Sequence, residues 1–424
     1  MNPLKTEQLA DGIYFHFLTD QRFKTNRISI HLFTPLQVQT AAQNAVIPAL
    51  LRKRTQDYPD MIALNRKLQS LYGAYLGGDV RKAGDAQVIT LAVSWLDDRF
   101  AMEGENLTAQ TAELLMGTLL RPVLEDGLFS EEDLAVEKQS MLELLASELN
   151  DKRAFAVART AEILCDGKGY GCNKYGSVET IKRLTAKQVT QAYFQILKQA
   201  QTHILFLGSG DPSCVREVIQ NNLKGIQRGD LVSVKTEPLS PRHTLRRETD
   251  HLEVSQSKLV LGFSVDADSE REKLAALLMS FLYGGTAISN LFLNVREKLS
   301  LCYYCLARYD QMKGILIVDS GVEQKNAQKA EVEILKQLEE IRQGHFEEER
   351  LQNTILAMRN GFTMIGDSAG ALETWYLTRI AAELMRSPEE VLAMLSEIGK
   401  DEVVEAARAT ALDAVYLLTG EETK

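Results

Sequence analysis

Gly127-Leu-Phe-Ser-Glu-Glu-Asp-Leu134 recurs 217 residues later as Gly344-His-Phe-Glu-Glu-Glu-Arg-Leu351. Each copy opens a stretch whose apolar residues fall seven and then four apart: Leu134, Met141 and Leu145 in the first, Leu351, Met358 and Phe362 in the second. That spacing places side chains on one face of a helix, and Ser130 with Asp133 supplies an N-cap signal for the first copy. Strand-like runs recur in the same order: 27–33, 87–94 and 203–208, then 258–265, 314–320 and 414–419. An eight-residue match alone arises readily by chance, whereas agreement of helix, strand order and offset together does not. The chain therefore reads as an internal duplication of an α+β unit with helices covering one sheet face.

Between the copies, residues 229–250 carry two prolines, many polar side chains and no helical period, the composition of a linker. The expected division is a first domain over 1–228, the linker over 229–250 and a second domain over 251–424. A chain of 424 residues with 45% hydrophobic and 25% charged residues supports two full cores. Against 48 Lys and Arg stand 58 Asp and Glu, for a net charge of −10. That surplus of acid argues against a nucleic-acid binder, which must neutralise phosphates. Apolar runs such as that beginning at Ala275 end well short of the roughly 18 residues of a membrane helix. The stretch from Met1 lacks the basic start and apolar core of a secretory signal. Five cysteines, Cys165, Cys172, Cys214, Cys302 and Cys305, are too few and odd in number for a disulfide framework. The expectation is a cytoplasmic protein with neither nucleic acid nor membrane as partner.

Leu282-Tyr-Gly-Gly-Thr-Ala-Ile-Ser-Asn-Leu-Phe-Leu-Asn-Val-Arg-Glu-Lys-Leu-Ser-Leu-Cys-Tyr303 combines a Gly-Gly turn, a Ser-x-Leu-Phe helix, Arg-Glu-Lys, and a Tyr seven residues after the Arg. This resembles the second-domain motif of the M16 (insulinase or pitrilysin) peptidase family. Tyr170-Gly171, the stretch 176–189 and Gly210-Asp211 resemble first-domain segments of the same family, so the likeness spans essentially the whole chain. Residues 71–79, Leu-Tyr-Gly-Ala-Tyr-Leu-Gly-Gly-Asp, resemble the bacterial YfmF-type branch, associated with 5-aminopentanol modification of elongation factor P. The resemblance implies two homologous halves of the LuxS/metallohydrolase type, each a mostly antiparallel sheet with helices on one face, together half of a clamshell.

Family enzymes hold zinc with an inverted H-x-x-E-H on a first-domain helix and a downstream Glu. Aligned on Lys53-Arg54-Thr55 and Tyr58-Pro59, those positions carry Ala45, Pro48 and Ala49, and the downstream ligand position carries Leu144. The six histidines are nowhere four apart, so no shifted copy of the motif exists. Without imidazoles zinc has no tetrahedral site, and without the Glu no base activates water. No metal or other cofactor is therefore expected in this chain.

What the resemblance leaves is Arg296 and Tyr303, matching the Arg and Tyr that hold substrate and stabilise the oxyanion opposite the zinc. In heterodimeric M16 peptidases one subunit keeps the zinc and its partner lacks it. This chain resembles the latter, with Gly284 and Gly285 as further substrate-side residues and a peptide or small protein as substrate. The alternative is a non-enzymatic peptide-binding or scaffolding subunit. Taken alone, Arg296 also reads as helix surface and Tyr303 as a core strand residue.

Other motifs have plainer readings. Strict alternation along a strand puts Cys302 and Cys305 on opposite faces, as small buried side chains. Gly208-Ser-Gly210 lacks the remaining glycines of a phosphate loop. Arg52-Lys-Arg54 and Arg246-Arg247 read as solvated faces, and Trp95 and Trp375 as packing anchors.

Overall fold

The computed structural model describes residues 3–242 and 244–420. The first half runs β1 (Lys5–Ala10), β2 (Ile13–Thr19), β3 (Thr25–Pro35), α1 (Ala41–Leu51), α2 (Met61–Ser70), β4 (Tyr75–Ala83), β5 (Ala86–Leu96), α3 (Leu107–Leu120), α4 (Glu131–Glu148), α5 (Lys152–Leu164), α6 (Val178–Lys182), α7 (Ala186–Gln199), β6 (Gln201–Gly208) and α8 (Pro212–Leu223). The second runs β7 (Arg246–His251), β8 (Ser257–Val265), α9 (Glu270–Ser280), π-helical stretches at Phe281–Gly285 and Leu291–Lys298, β9 (Cys302–Asp310), β10 (Ile315–Val322), α10 (Ala327–Arg342), α11 (Glu348–Ile365), α12 (Ala369–Ala381), α13 (Pro388–Leu395), α14 (Lys400–Arg408) and β11 (Thr410–Thr419). All six strand-like runs fall on strands, namely β3, β5, β6, β8, β10 and β11.

The two sheets have the orders β1-β2-β6-β3-β5-β4 and β7-β11-β8-β10-β9. Without β1 they match strand for strand. The parallel pair β2–β6 corresponds to β7–β11, and the other pairs are antiparallel in both. The helices repeat with equal fidelity: α11 and α12 start and end 217 residues after α4 and α5. Both α5 and α12 end in a left-handed residue, Asp166 at φ 54° and Glu383 at φ 56°. The next amides, Gly167 and Leu384, reach back to the carbonyls of Glu162 and Arg379. A non-glycine residue in this conformation costs energy, yet both copies keep it. The chain is two homologous α+β halves.

The compact units are not contiguous in sequence. One comprises the chain up to Leu145, Cys172–Lys235 and Gly366–Ser387; the other comprises Ala146–Gly171, Thr236–Ile365 and the chain from Pro388. A cut at 229–250 thus leaves out the exchange of α5 and α12 between the units. The reason lies in the strands. β5 and β10 are buried along nearly their whole length, so both faces of each sheet need cover.

In the first unit, Ile28, Ile30, Leu32, Ile89, Leu91 and Val93 pack with α1, α3 and α7. The alternate residues Arg27, Ser29 and His31 face the other way and meet α12. Arg27 Nη2 lies 2.8 Å from Glu373 Oε2, and His31 Nε2 lies 3.5 Å from Glu373 Oε1. Ser29 Oγ and Thr90 Oγ1 hydrogen-bond the two nitrogens of His31 at 3.0 and 2.9 Å. Burial works to raise the Glu373 carboxyl, but His31 and Arg27 outweigh it and bring it down to about 2. In the second unit Ala156, Ile163 and Leu164 of α5 pack on Val260, Ile317 and Tyr416. Here the ion pair is reversed, Arg153 on the helix and buried Asp319 on the sheet, 2.5 Å apart. Gly262 makes room: a Cβ there would lie 2.7 Å from Leu164 Cδ1. Among the described residues no helix is long and apolar enough to cross a membrane.

Beside His31, β2 and β6 place His16 Nε2 3.0 Å from His203 Nδ1. Burial pushes His16 down to about 4 and His203 to about 3, with His31's charge adding to both and His16's to His203. Both pKa values lie below the unfolded value of 6.5, so the unfolded chain binds more protons in acid. Their contribution is complete above pH 6.5 and is lost as pH falls towards 4 and then 3. Melting temperature followed against pH should drop across that window, and His203→Gln should flatten the drop. Glu373→Ala strands Arg27 beside a sheet face with no counter-charge, and should cost about 3 kcal/mol or more in urea unfolding. A variant that melts like the parent would remove this ion pair from the account of how α12 is held.

Candidate functional site

Helix α1 carries Ala45, Pro48 and Ala49, the positions that the sequence alignment sets against the family's zinc ligands. Ala45 is buried and Pro48 lies inside the helix. The Pro48 ring packs towards β4, where a Cβ on Gly78 would come 3.0 Å from Pro48 Cβ. Proline in a helix interior removes the amide hydrogen bond to the residue four back; Arg52 Nε donates to the Pro48 carbonyl at 3.3 Å. Leu144, on α4, is 40% exposed. Among the described residues no group of three or more His, Cys, Asp or Glu is arranged to hold a metal. The donor set does not fit zinc: alanine and proline offer no ligand atom, and the base position holds a pyrrolidine ring.

The second unit builds a different arrangement. α9 runs straight into the π-helical turn Phe281–Gly285, and a second π-helical stretch, Leu291–Lys298, carries Arg296. Such i→i+5 stretches are rare and concentrate at functional sites. Gly284 is buried, and a Cβ there would lie 2.7 Å from both the amide nitrogen and the Cβ of Ala307. A Cβ on Gly285 would come 3.0 Å from the Phe281 ring. These contacts give both glycines a packing role, letting the π turn lie against β9.

Arg296 is 40% exposed, its guanidinium 4.6 Å from the Phe292 ring centre and Nε 3.5 Å from Glu297 Oε1. The chain then reverses through Ser300 at φ 50°, with the amides of Ser300 and Leu301 donating to the carbonyls of Arg296 and Val295. β9 begins at Cys302. Its ladder with β10 slips by one residue: Tyr304 faces Gly321 and Cys302 faces Val322, leaving Tyr303 as the extra residue of a β-bulge. Bulges re-aim side chains, and Tyr303 is 62% exposed. The left-handed turn at Ser300 carries the chain from the stretch holding Arg296 to Tyr303 at the start of β9.

The same bulge corrects the reading of Cys302 and Cys305. Strict alternation separates them; the extra residue returns both to one face, opposite Val322 and Ser320. Both are buried, at 8% and 2% exposure. A hydrogen bond from Cys305, followed by the Arg296 charge, pulls the Cys302 thiol below its ordinary value although burial opposes them. The same hydrogen bond and burial push Cys305 well above its own. Sequence alternation misses this because one residue of slip inverts the facing.

The remaining motifs are structural. The amides of Ser209 and Gly210 donate to Asn26 Oδ1 at 2.8 and 3.0 Å, and Ser209 Oγ donates to Asp97 Oδ2. Those amides have partners within the protein and do not cradle a phosphate. Lys53 and Arg54 pair with Asp133, Arg246 with Asp166, and Arg247 with Glu331. Trp95 is a core anchor at 2% exposure.

Two substitutions probe the local architecture through urea midpoints. Gly284→Ala should lose about 1–3 kcal/mol, because the clash is with backbone that cannot swing aside. Ser300→Gly should gain up to about 1 kcal/mol by relieving the left-handed backbone. A neutral Gly284→Ala would show that the π turn has room to shift.

A family model described as the peptidase M16 inactive domain matches residues 183–358. A protein of Bacillus subtilis (strain 168) described as "Probable inactive metalloprotease YmfF" is 26% identical over 423 residues, covering 100% of this chain and 99% of its own. A conserved protein from Enterococcus faecalis V583, of known crystal structure, superposes with a TM-score of 0.90 at 25% identity over 100% of both chains. The peptidase M16 inactive domain from Pseudomonas fluorescens shares the fold, with a TM-score of 0.79 at 15% identity over 98% of each chain. By its duplicated sheets, its motif from Gly284 to Tyr303, the match over 183–358 and its full-length relatives, the chain is similar to the peptidase M16 proteins, its second half to their inactive domain.

Proposed function

We propose that this chain is the zinc-free member of a two-subunit, cytoplasmic M16 peptidase, pairing with a homologue that carries H-x-x-E-H. The reading rests chiefly on the bulge at Tyr303, which turns a phenol to solvent at the start of β9 beside the π-helical stretch carrying Arg296. Phenol and guanidinium both donate hydrogen bonds, and both suit the oxyanion that forms as water adds to a peptide carbonyl. Metal chemistry, which polarises the carbonyl and activates water, belongs to the partner subunit. The description of the Bacillus subtilis relative as a probable inactive metalloprotease supports the zinc-free part of this reading.

Purified alone, the chain is expected to carry no stoichiometric zinc by elemental analysis and to cleave no peptide. Combined with the zinc-bearing homologue, Tyr303→Phe should lower kcat roughly a hundredfold or more with complex formation intact. Arg296→Ala should do at least as much, because the charge also positions substrate. Full activity in both variants would overturn the oxyanion role and leave a peptide-binding scaffold in its place.

A further inference from the structure

Cys302-Tyr-Tyr-Cys305 is a motif of the second unit that the proposed hydrolysis does not use. Three observations at the start of β9 bear on it. The bulge puts both thiols on one face. The π-helical stretch that carries Arg296 packs at the start of β9, and its positive charge favours the Cys302 thiolate. The two are also unequal, Cys302 at the strand's first residue and Cys305 deeper, at 8% against 2% exposure. Of two thiols on one face, the less deeply buried one beside a cation is the attacking member of a dithiol pair, and the deeper one, held protonated, the resolving member.

We propose that Cys302 and Cys305 are a reversible dithiol site that exchanges with low-molecular-weight disulfides such as glutathione disulfide. The Cys302 thiolate attacks one sulfur of glutathione disulfide, forming a mixed disulfide and releasing one glutathione thiolate. Cys305 gives up its proton to that thiolate and attacks the Cys302 sulfur, releasing the second glutathione. Two protein thiols become one disulfide, and one glutathione disulfide becomes two glutathiones. Successive same-face positions on a strand lie about 6.6 Å apart, at the long end of what a disulfide spans. The crosslink is therefore strained and readily reduced, as regulatory disulfides are. Because Tyr303 is the bulged residue between the two sulfurs, the crosslink pins the bulge that exposes it. The dithiol site stands on the bulge itself and is independent of any catalytic role for Tyr303.

The test is peptide mass spectrometry on the intact native chain after incubation with glutathione disulfide and alkylation of remaining thiols. Trypsin cuts after Lys298 and Arg308 and releases both cysteines in one peptide. The expected result is that peptide short of two hydrogen atoms, restored to the dithiol by dithiothreitol. Cys305→Ser should stop at the intermediate, with glutathione held on Cys302, whereas Cys302→Ser should leave Cys305 unmodified in the folded protein. A wild-type peptide alkylated at both cysteines after exposure would overturn the proposal. So would a disulfide that forms only in urea, or glutathione found on Cys305 of folded Cys302→Ser. The wild-type measurement needs no variant to fold.

Discussion

Each sheet of this protein has a central strand buried along nearly its whole length, while the helices packed with it from its own half cover one face. The uncovered face is closed by a helix from the other half, α12 on the first sheet and α5 on the second. Each is held by a buried acid and an arginine, Glu373 with Arg27 and Asp319 with Arg153. Taking either carboxylate from water is costly unless a cation and hydrogen bonds meet it in place. The pair therefore specifies where the helix docks as much as it stabilises it. Neither sheet is complete without a segment from the other end of the duplication.

Reversal of the ion pair shows how far the two copies have diverged under a shared geometry. Helix bounds, the left-handed turns at Asp166 and Glu383 and the strand order are alike to the residue. The side chains that lock the exchange have swapped sides, acid on the helix in one copy and on the sheet in the other. Backbone geometry of this kind is set by many contacts at once, whereas a single ion pair serves equally well in either polarity.

Divergence has also separated the two candidate sites. In the first half, α1 retains the place of a zinc helix but fills it with alanine and a proline packed towards Gly78. In the second, the irregularities accumulate in a short span: two π-helical turns, a left-handed Ser300 and a bulge at Tyr303. Each departs from the regular ladder or helix, and their joint effect is to turn one phenol outward and two thiols inward.

How much of this was written in the chain can be judged from particular residues. The repeat at 127–134 and 344–351 and the strand runs were legible because hydrophobic periodicity is a local property, whereas the linker read over 229–250 runs into strand β7 from Arg246. Absence of zinc ligands was legible too, since Ala45, Pro48 and Ala49 have no donor atom in any fold. The exchange of α5 and α12 was not, although the apolar run Ile315-Leu-Ile-Val318 in β10 signals cover on both faces; which helix supplies it depends on contacts more than 160 residues apart, as between Arg153 and Asp319. The facing of Cys302 and Cys305 was hidden for a related reason. Periodicity assumes two residues per pleat, and only the packing of Gly284 against Ala307 and the register with β10 decide where one residue is left over. The sequence alone determined which elements form; tertiary structure decided which faces they share, because register and docking are set by distant partners.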